Sequence, residues 1–383
     1  MPECYIEPLT NRQECFTCHK TVTGKKKLSK CSRCHAITYC GKECQVADFT
    51  RHKWNCLPVM VTEIPGKGRG LVAARDIEQG ELIFIDKPVI TVQTVDWTTH
   101  CMMHVNSVLE QLAKLPSEAK VQFERLQGLD FEDGVDDNDE ANRTILILKK
   151  FMTNSRMDSG VHTKCTSLYL NIVLINHSCA PNAAEGYLKP YDENKSSEVR
   201  AIKSIGKGEE VTICYDNDFL NLCCSLEARR TASKKHFGFD CNCQYCASPD
   251  QEDIMWEIFN LHADLGDSNA ESPDNHHEYK LSHWAKDAEI LGKIVSVSQK
   301  ISVGGLKHKW TMMVSAAKAA HLSRNQGLMK YSMQMLENLA GVTKLESIKE
   351  VLKDTEQELL QWSSQLLSKQ PPSKAEIDSI FPL

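Results

Sequence analysis

Seventeen cysteines constrain this chain more than any other feature. They crowd into residues 4–56 and 165–246, with only Cys101 between. An odd count so unevenly spread does not read as a disulfide framework. The opening Met1-Pro2-Glu3-Cys4-Tyr5-Ile6-Glu7 lacks a basic stretch followed by an apolar one. No secretory signal is therefore expected, and a reducing compartment is. There, clustered Cys-x2-Cys pairs more often hold metal than each other. No apolar run approaches the roughly 20 residues that a bilayer span needs. The length of 383 residues allows two or three folded units, and the formal charge of −6 excludes a globally basic nucleic-acid binder.

Residues 15–56 contain Cys15-x2-Cys18, Cys31-x2-Cys34, Cys40-x3-Cys44 and His52-x3-Cys56. Seven thiols and one imidazole are enough for two closed tetrahedral zinc sites. A two-residue gap turns both sulfurs of a pair toward one ion, and the x3 pairs suit one turn of helix, predicted within 42–55. Spacing alone does not say which pairs share an ion. The same stretch holds nine Lys/Arg, Lys25-Lys26-Lys27 among them, against two acids. Such a surface can meet nucleic acid or an acidic protein partner, or be a solvated lysine loop.

Gly66-Lys67-Gly68-Arg69-Gly70-Leu71 alternates glycines that let backbone approach a ligand or take positive φ; a tight turn between strands explains it equally well. It is not a dinucleotide fingerprint, because no suitable strand is predicted before it and strand rather than helix after it, at Glu81–Ile85. The segment 59–95 as a whole reads as small sheets. Ile172–Ile175 is an apolar run that delivers Asn176-His177-Ser178-Cys179 either to a site or to a capped turn with a core histidine. Val199–Ile205 and Val211–Tyr215 read as strand, turn, strand. Phe237-Gly238-Phe239 then precedes Cys241-x-Cys243-x2-Cys246. Three cysteines in six residues are one short of a closed site, and Cys179 is the natural fourth.

The first cysteine block resembles the MYND zinc fingers. The ordered set GKGRGL, NHSCxPN, GEExTxxY and FxCxCxxC resembles the SET-domain protein lysine methyltransferases. Together they resemble the SET-and-MYND (SMYD) subfamily over residues 15–246, with the finger placed first as in some arthropod members. The resemblance implies an interleaved finger, with Cys15, Cys18, Cys40 and Cys44 on one zinc and Cys31, Cys34, His52 and Cys56 on the other. It implies a third zinc on Cys179, Cys241, Cys243 and Cys246, and the knotted SET fold. Carried over residue by residue, S-adenosylmethionine would meet Lys67, Gly68, Arg69, Asn176 and His177. Phe237 and Phe239 would lie at the cofactor and lysine channel. Tyr215 would border the methyl-transfer path and is the expected catalytic residue. Departures are Phe237, where many relatives carry tyrosine, and Arg156, near where relatives place an aromatic.

Residues 250–368 read as helices at 254–264, 279–301, 306–322, 328–340 and 345–367, broken at Gly266-Asp267-Ser268, Gly304-Gly305, Asn325-Gln326-Gly327 and Gly341. Family resemblance implies a tetratricopeptide-like bundle; a plain stabilising bundle fits the spacing as well. The expected organisation is α+β. It comprises a finger (1–57), the SET N-terminal part (58–100) and an insert of two helices around an acidic loop (101–155). The SET core (156–232), a post-SET zinc segment (233–249) and the helical domain (250–383) follow. The expected function is S-adenosylmethionine-dependent methylation of a lysine on a histone or other protein, in nucleus and cytoplasm. The expected chain is monomeric, with peptide partners on the finger, possible weak nucleic-acid contact and no membrane. The alternative is a non-catalytic adaptor in transcriptional regulation.

Overall fold

The computed structural model describes residues 15–21, 28–32, 34, 37–52, 56–93, 101–128, 140–159, 164–187, 195–215, 225–247, 252–270, 281–298 and 306–367. The chain forms two compact units. One comprises residues 1–176, 185–212 and 233–239; the other comprises 177–184, 213–232 and 240–383.

The first unit opens with the cysteine-rich segment. A minimal ladder, β1 (Ser29–Lys30) against β2 (Thr38–Tyr39), leads into α1 (Lys42–His52). Buried Cys15, Cys31, Cys34 and Tyr39 form its core, and Tyr39 donates its hydroxyl hydrogen bond to Asp48 at 2.8 Å. Four side chains are too small a core to offset chain entropy, so ligand chemistry must hold this segment.

Two β-rich hairpin strands follow, β3 (Val59–Ile64) and β4 (Gly68–Ala73), paired Ile64 to Gly68 around Pro65-Gly66-Lys67. A strand therefore does precede the glycine-rich loop, contrary to the sequence expectation, because Val59-Met60-Val61 alternates buried and half-buried positions. Gly66 and Gly68 take φ of +74° and +72°, the left-handed region in which a side chain is strained. With β9 (Asn176–His177) and β12 (Glu210–Ile213) these strands make a sheet in the order β3-β4-β12-β9. A second sheet runs β10-β11-β5, from Ala183–Tyr187, Ser197–Ala201 and Leu82–Asp86, with a register shift between Val199 and Arg200. The third, β6-β8-β7, joins Ile90–Gln93, Lys164–Leu168 and Arg156–Ser159. The expected strand over 199–205 stops at Ala201, and Ile205 makes only a bridge to Ile77.

Three helices, not two, occupy the described part of the insert: α2 (Cys101–Lys114), α3 (Ser117–Glu124) and α4 (Glu140–Asn154). Pro116, with φ −57° and ψ 155°, ends one helix and starts the next because it lacks an amide hydrogen. Val108, Ala119, Phe123 and Phe151 pack with Ile90, Val92 and Leu168 of the third sheet. The acidic run lies outside the described residues except for Glu140.

The second unit holds five of the remaining helices: α6 (Glu252–Ala270), α7 (Leu281–Ser298), α8 (Leu306–Leu322), α9 (Gln326–Thr343) and α10 (Glu346–Leu367). Helix α5 (Leu226–Phe237) precedes them, divided between the units. Ala316, Ala317, Ala319 and Ala320 are all fully buried, so small side chains let α8 sit close to its neighbours. Asn325 caps α9, its side chain accepting the Leu328 amide hydrogen at 3.1 Å. Two expected breaks are absent. Helix α6 runs through Gly266-Asp267-Ser268, and α9 runs through Gly341 to a left-handed Lys344. One glycine costs about 1 kcal/mol in a helix, less than the packing of the surrounding turns supplies. The break at Gly304-Gly305 lies outside the described residues.

Candidate metal centres and active site

Three groups of four side chains each bring their ligand atoms within 4.8 Å of one another: Cys15, Cys18, Cys40 and Cys44; Cys31, Cys34, His52 and Cys56; and Cys179, Cys241, Cys243 and Cys246. Adjacent knuckles do not share an ion in the finger; first and third pairs do, second and fourth do, which is the interleaving expected from the resemblance. The separations decide the chemistry. Cys18 and Cys40 sulfurs are 3.6 Å apart, Cys40 and Cys44 3.5 Å, Cys31 and Cys56 3.7 Å, and Cys34 Sγ is 3.6 Å from His52 Nε2. In the third group Cys179 is 3.9 Å from Cys241 and 3.5 Å from Cys246. Disulfide sulfurs sit at about 2.05 Å. Four thiolates at about 2.3 Å from a tetrahedral zinc are about 3.8 Å from each other. The donors present therefore fit structural zinc, with every position filled by protein.

The electrostatics are consistent with a cation among these sulfurs. Contacts with Cys241, Cys243 and Cys246 push the Cys179 thiol far up, and burial adds to this. Burial also opposes ionisation of Cys15, but backbone amides of Cys18, Cys40 and Thr17 outweigh it and hold that thiol near 6. Four crowded sulfurs cannot all ionise without a cation among them.

In the first unit the glycine-rich loop is tied to a distant strand. Lys67 Nζ lies 2.7 Å from Glu210 Oε2, and Asn176 Nδ2 donates to Glu210 Oε1 at 2.9 Å. Glu210 thus joins two residues named from sequence while itself having been read only as part of a turn motif. A carboxylate two residues beyond a glycine, in step with a following β-strand, was the available signal. Gly70 lies beneath this group: a Cβ there would stand 2.6 Å from Ile64 Cγ1 and 2.7 Å from Asn176 Nδ2. Arg69 Nη2 donates to the Arg125 carbonyl at 3.0 Å. Phe237 and Phe239 rings stack at 6.2 Å. Arg156 Nε donates to Glu185 Oε1 at 3.0 Å, with both side chains mostly buried.

Asp86, also missed in the sequence, ends β5 and is buried. Its oxygens accept from the amides of Lys87, Asn171 and Ile172 and from Asn171 Nδ2, at 2.9–3.0 Å. Burial pushes its carboxyl up to about 6 although those four donors oppose the shift. Asp86 thereby anchors the 3-10 turn Ile172–Leu174, whose end sets where Asn176 begins.

In the second unit His177 is buried and both ring nitrogens are engaged. Nδ1 accepts the Tyr215 amide hydrogen at 3.0 Å, and Nε2 lies 3.3 Å from Cys179 Sγ. The Ser178 amide donates to the Ile213 carbonyl at 2.9 Å. His177 and Tyr215 rings are 5.3 Å apart.

The MYND finger family matches residues 15–56, which hold all eight ligands of the first two groups. The SET domain family matches residues 68–216, from Gly68 past Tyr215. The chain thus carries a MYND finger match followed by a SET domain match, the pair found in the SET-and-MYND proteins. Among similar SET-and-MYND proteins, the human N-lysine methyltransferase SMYD2 is 26% identical over 264 residues, covering 67% of this chain and 56% of that protein. The human histone-lysine N-methyltransferase SMYD3 is 25% identical over 62% of this chain and 53% of its own length. The mouse histone-lysine N-methyltransferase Smyd1 is 24% identical over 63% and 49% respectively. This chain therefore spans about half the length of the relatives it matches. The expected likeness to arthropod members is not shown by these relatives, though the finger does precede the SET match here. No helix among the described residues is long and apolar enough to cross a membrane.

Proposed function

We propose that this SET-and-MYND chain is a protein-lysine N-methyltransferase that uses S-adenosylmethionine. The observation that supports this best is the Lys67–Glu210–Asn176 group, with Asn176 and Glu210 inside the SET match and Lys67 just before it, where opposite charges and an amide meet at 2.7–2.9 Å. Such a mixed donor and acceptor set suits a zwitterion carrying both ammonium and carboxylate. When bound, the cofactor supplies an already activated methyl group on a sulfonium. The protein then has only to orient partners and to favour the neutral amine, which apolar surroundings do by penalising the ammonium.

In this reading Gly68 gives backbone access, Lys67, Arg69 and Asn176 hold the cofactor, and His177 contributes its backbone. Phe237 and Phe239 supply apolar surface, and the Tyr215 hydroxyl orients the reacting groups. The substrate is a lysine of a histone or another protein, as the relatives' names favour. The finger would capture peptide partners and make at most weak nucleic-acid contact. The chain would act as a monomer in nucleus and cytoplasm, with the domain bounds expected from sequence. Radiolabelled methyl transfer to a panel of histones and cell-extract proteins, beside cofactor calorimetry, tests this. Labelled lysine is the expected product. Cofactor binding without transfer to any protein would overturn it.

A further inference from the structure

The position of His177 has a consequence for the third metal group that neither the metal ligands nor the cofactor residues contain by themselves. A backbone amide can only donate. Since the Tyr215 amide points at Nδ1 from 3.0 Å, Nδ1 carries no proton, and the ring's single proton sits on Nε2. Nε2 is 3.3 Å from Cys179 Sγ, so it donates to that sulfur. Four thiolates around one zinc leave two negative charges in a buried place. Hydrogen-bond donors outside the ligand set are what make such a charge tolerable. Arg229, 4% exposed, adds a positive charge that interacts with Cys246 and Cys179, and its guanidinium lies 4.7 Å over the Tyr245 ring.

We propose that His177 is a positioning residue that couples the third zinc group to Tyr215. Its imidazole is held as the Nε2–H tautomer, donating to a zinc thiolate at one end and fixing the Tyr215 backbone at the other. The relay runs from Cys179 Sγ through one rigid ring to the amide of the residue proposed to border methyl transfer. A shift of the metal group is thereby felt at Tyr215 without passing along the intervening chain. The importance of Tyr215 rests on the function proposed above; the tautomer and the hold on the metal group do not.

Three replacements separate the two ends of the ring. Phenylalanine keeps the ring's bulk and removes both contacts. Asparagine places an acceptor near the Nδ1 position but nothing at Nε2. Glutamine places a donor near the Nε2 position but nothing at Nδ1. Zinc loss to a chelator and methyl transfer are measured on the full, zinc-loaded chain, and nitrogen NMR reads the wild-type tautomer. His177→Phe should still bind three zincs, lose the third at least about tenfold faster, as is usual when an outer partner of a metal ligand is removed, and turn over more slowly. His177→Gln should restore zinc retention and leave turnover low. His177→Asn should do the reverse. An Nδ1–H tautomer, or zinc retention in His177→Phe equal to wild type, would overturn the relay even in a chain that proved inactive. Equal rescue of both properties by Asn and Gln would also overturn it, because a purely structural role predicts that outcome.

Discussion

Replacing Gly70 by alanine puts the proposed cofactor group to a quantitative test. The new methyl would start 2.6 Å from Ile64 Cγ1 and 2.7 Å from Asn176 Nδ2, distances that real Cβ atoms do not keep. Ile64 is β-branched on the paired strand and cannot swing clear without leaving its rotamer. Asn176 can move, but only by stretching its 2.9 Å hydrogen bond to Glu210. Overpacking of this kind costs about 1–3 kcal/mol. Replacing glycine by alanine where no positive φ is required recovers about 0.4–1 kcal/mol from the unfolded chain. A net loss of about 1–2 kcal/mol in urea unfolding is therefore expected. If Asn176 yields rather than Ile64, cofactor affinity should also fall by about 1–3 kcal/mol, the cost of leaving a buried polar partner unmet. Calorimetry with S-adenosylmethionine and denaturation on the same preparation read both. A variant as stable as wild type, binding cofactor equally well, would refute the placement of Gly70 beneath Asn176.

Elemental analysis should find three zincs per chain, and Cys179→Ser should carry two; an unchanged count would remove the third site. Tyr215→Phe should bind cofactor almost normally while turnover drops roughly 10²–10³-fold, the scale for losing one preorganised donor at a reacting centre, and full turnover would show that the hydroxyl plays no part. Asp86 binds its proton more tightly folded, near 6, than unfolded, near 3.8, so its contribution to stability is present below about pH 4 and lost as pH rises through about 6. Relative to Asp86→Asn, which does not titrate there, wild type should lose stability on the order of 3 kcal/mol across that window; a relative gain would mean that the four donors, not burial, dominate.

The sequence was most informative where chemistry is local. Cysteine spacing sufficed to announce zinc in the finger, since two residues between thiols let both face one ion, but which pairs share an ion came only from the family resemblance. Helical periodicity likewise located α6 to α10, because burying one stripe repeats every three or four residues. What could not be read were relations across long intervals. Nothing near Lys67 announces Glu210, 143 residues away. Nothing near Asp86 announces Asn171, 85 residues away. Local signals also misled where packing outweighs them, as at Gly341, whose intrinsic preference against helix is overridden. Pro116 was the opposite case, a local breaker whose effect on the insert went unrecognised. The histidine of NHSC was read as a candidate site residue, but the direction of its ring was not legible. Only Tyr215 and Cys179, placed on either side of it, determine that.

The third metal group has a further meaning when the chain is considered as it leaves the ribosome. Cys179 is made 62 residues before Cys241 and 67 before Cys246. At roughly 5–20 residues per second, that thiol waits about 3–13 s before its ligand set exists. The finger's Cys31 meets Cys56 after only 25 residues. Synthesis therefore completes the ligand sets of the finger before that of the third group. Any pause between residues 179 and 246 lengthens the interval in which a newborn thiol, not yet bound to zinc, is open to oxidants and to the wrong metal.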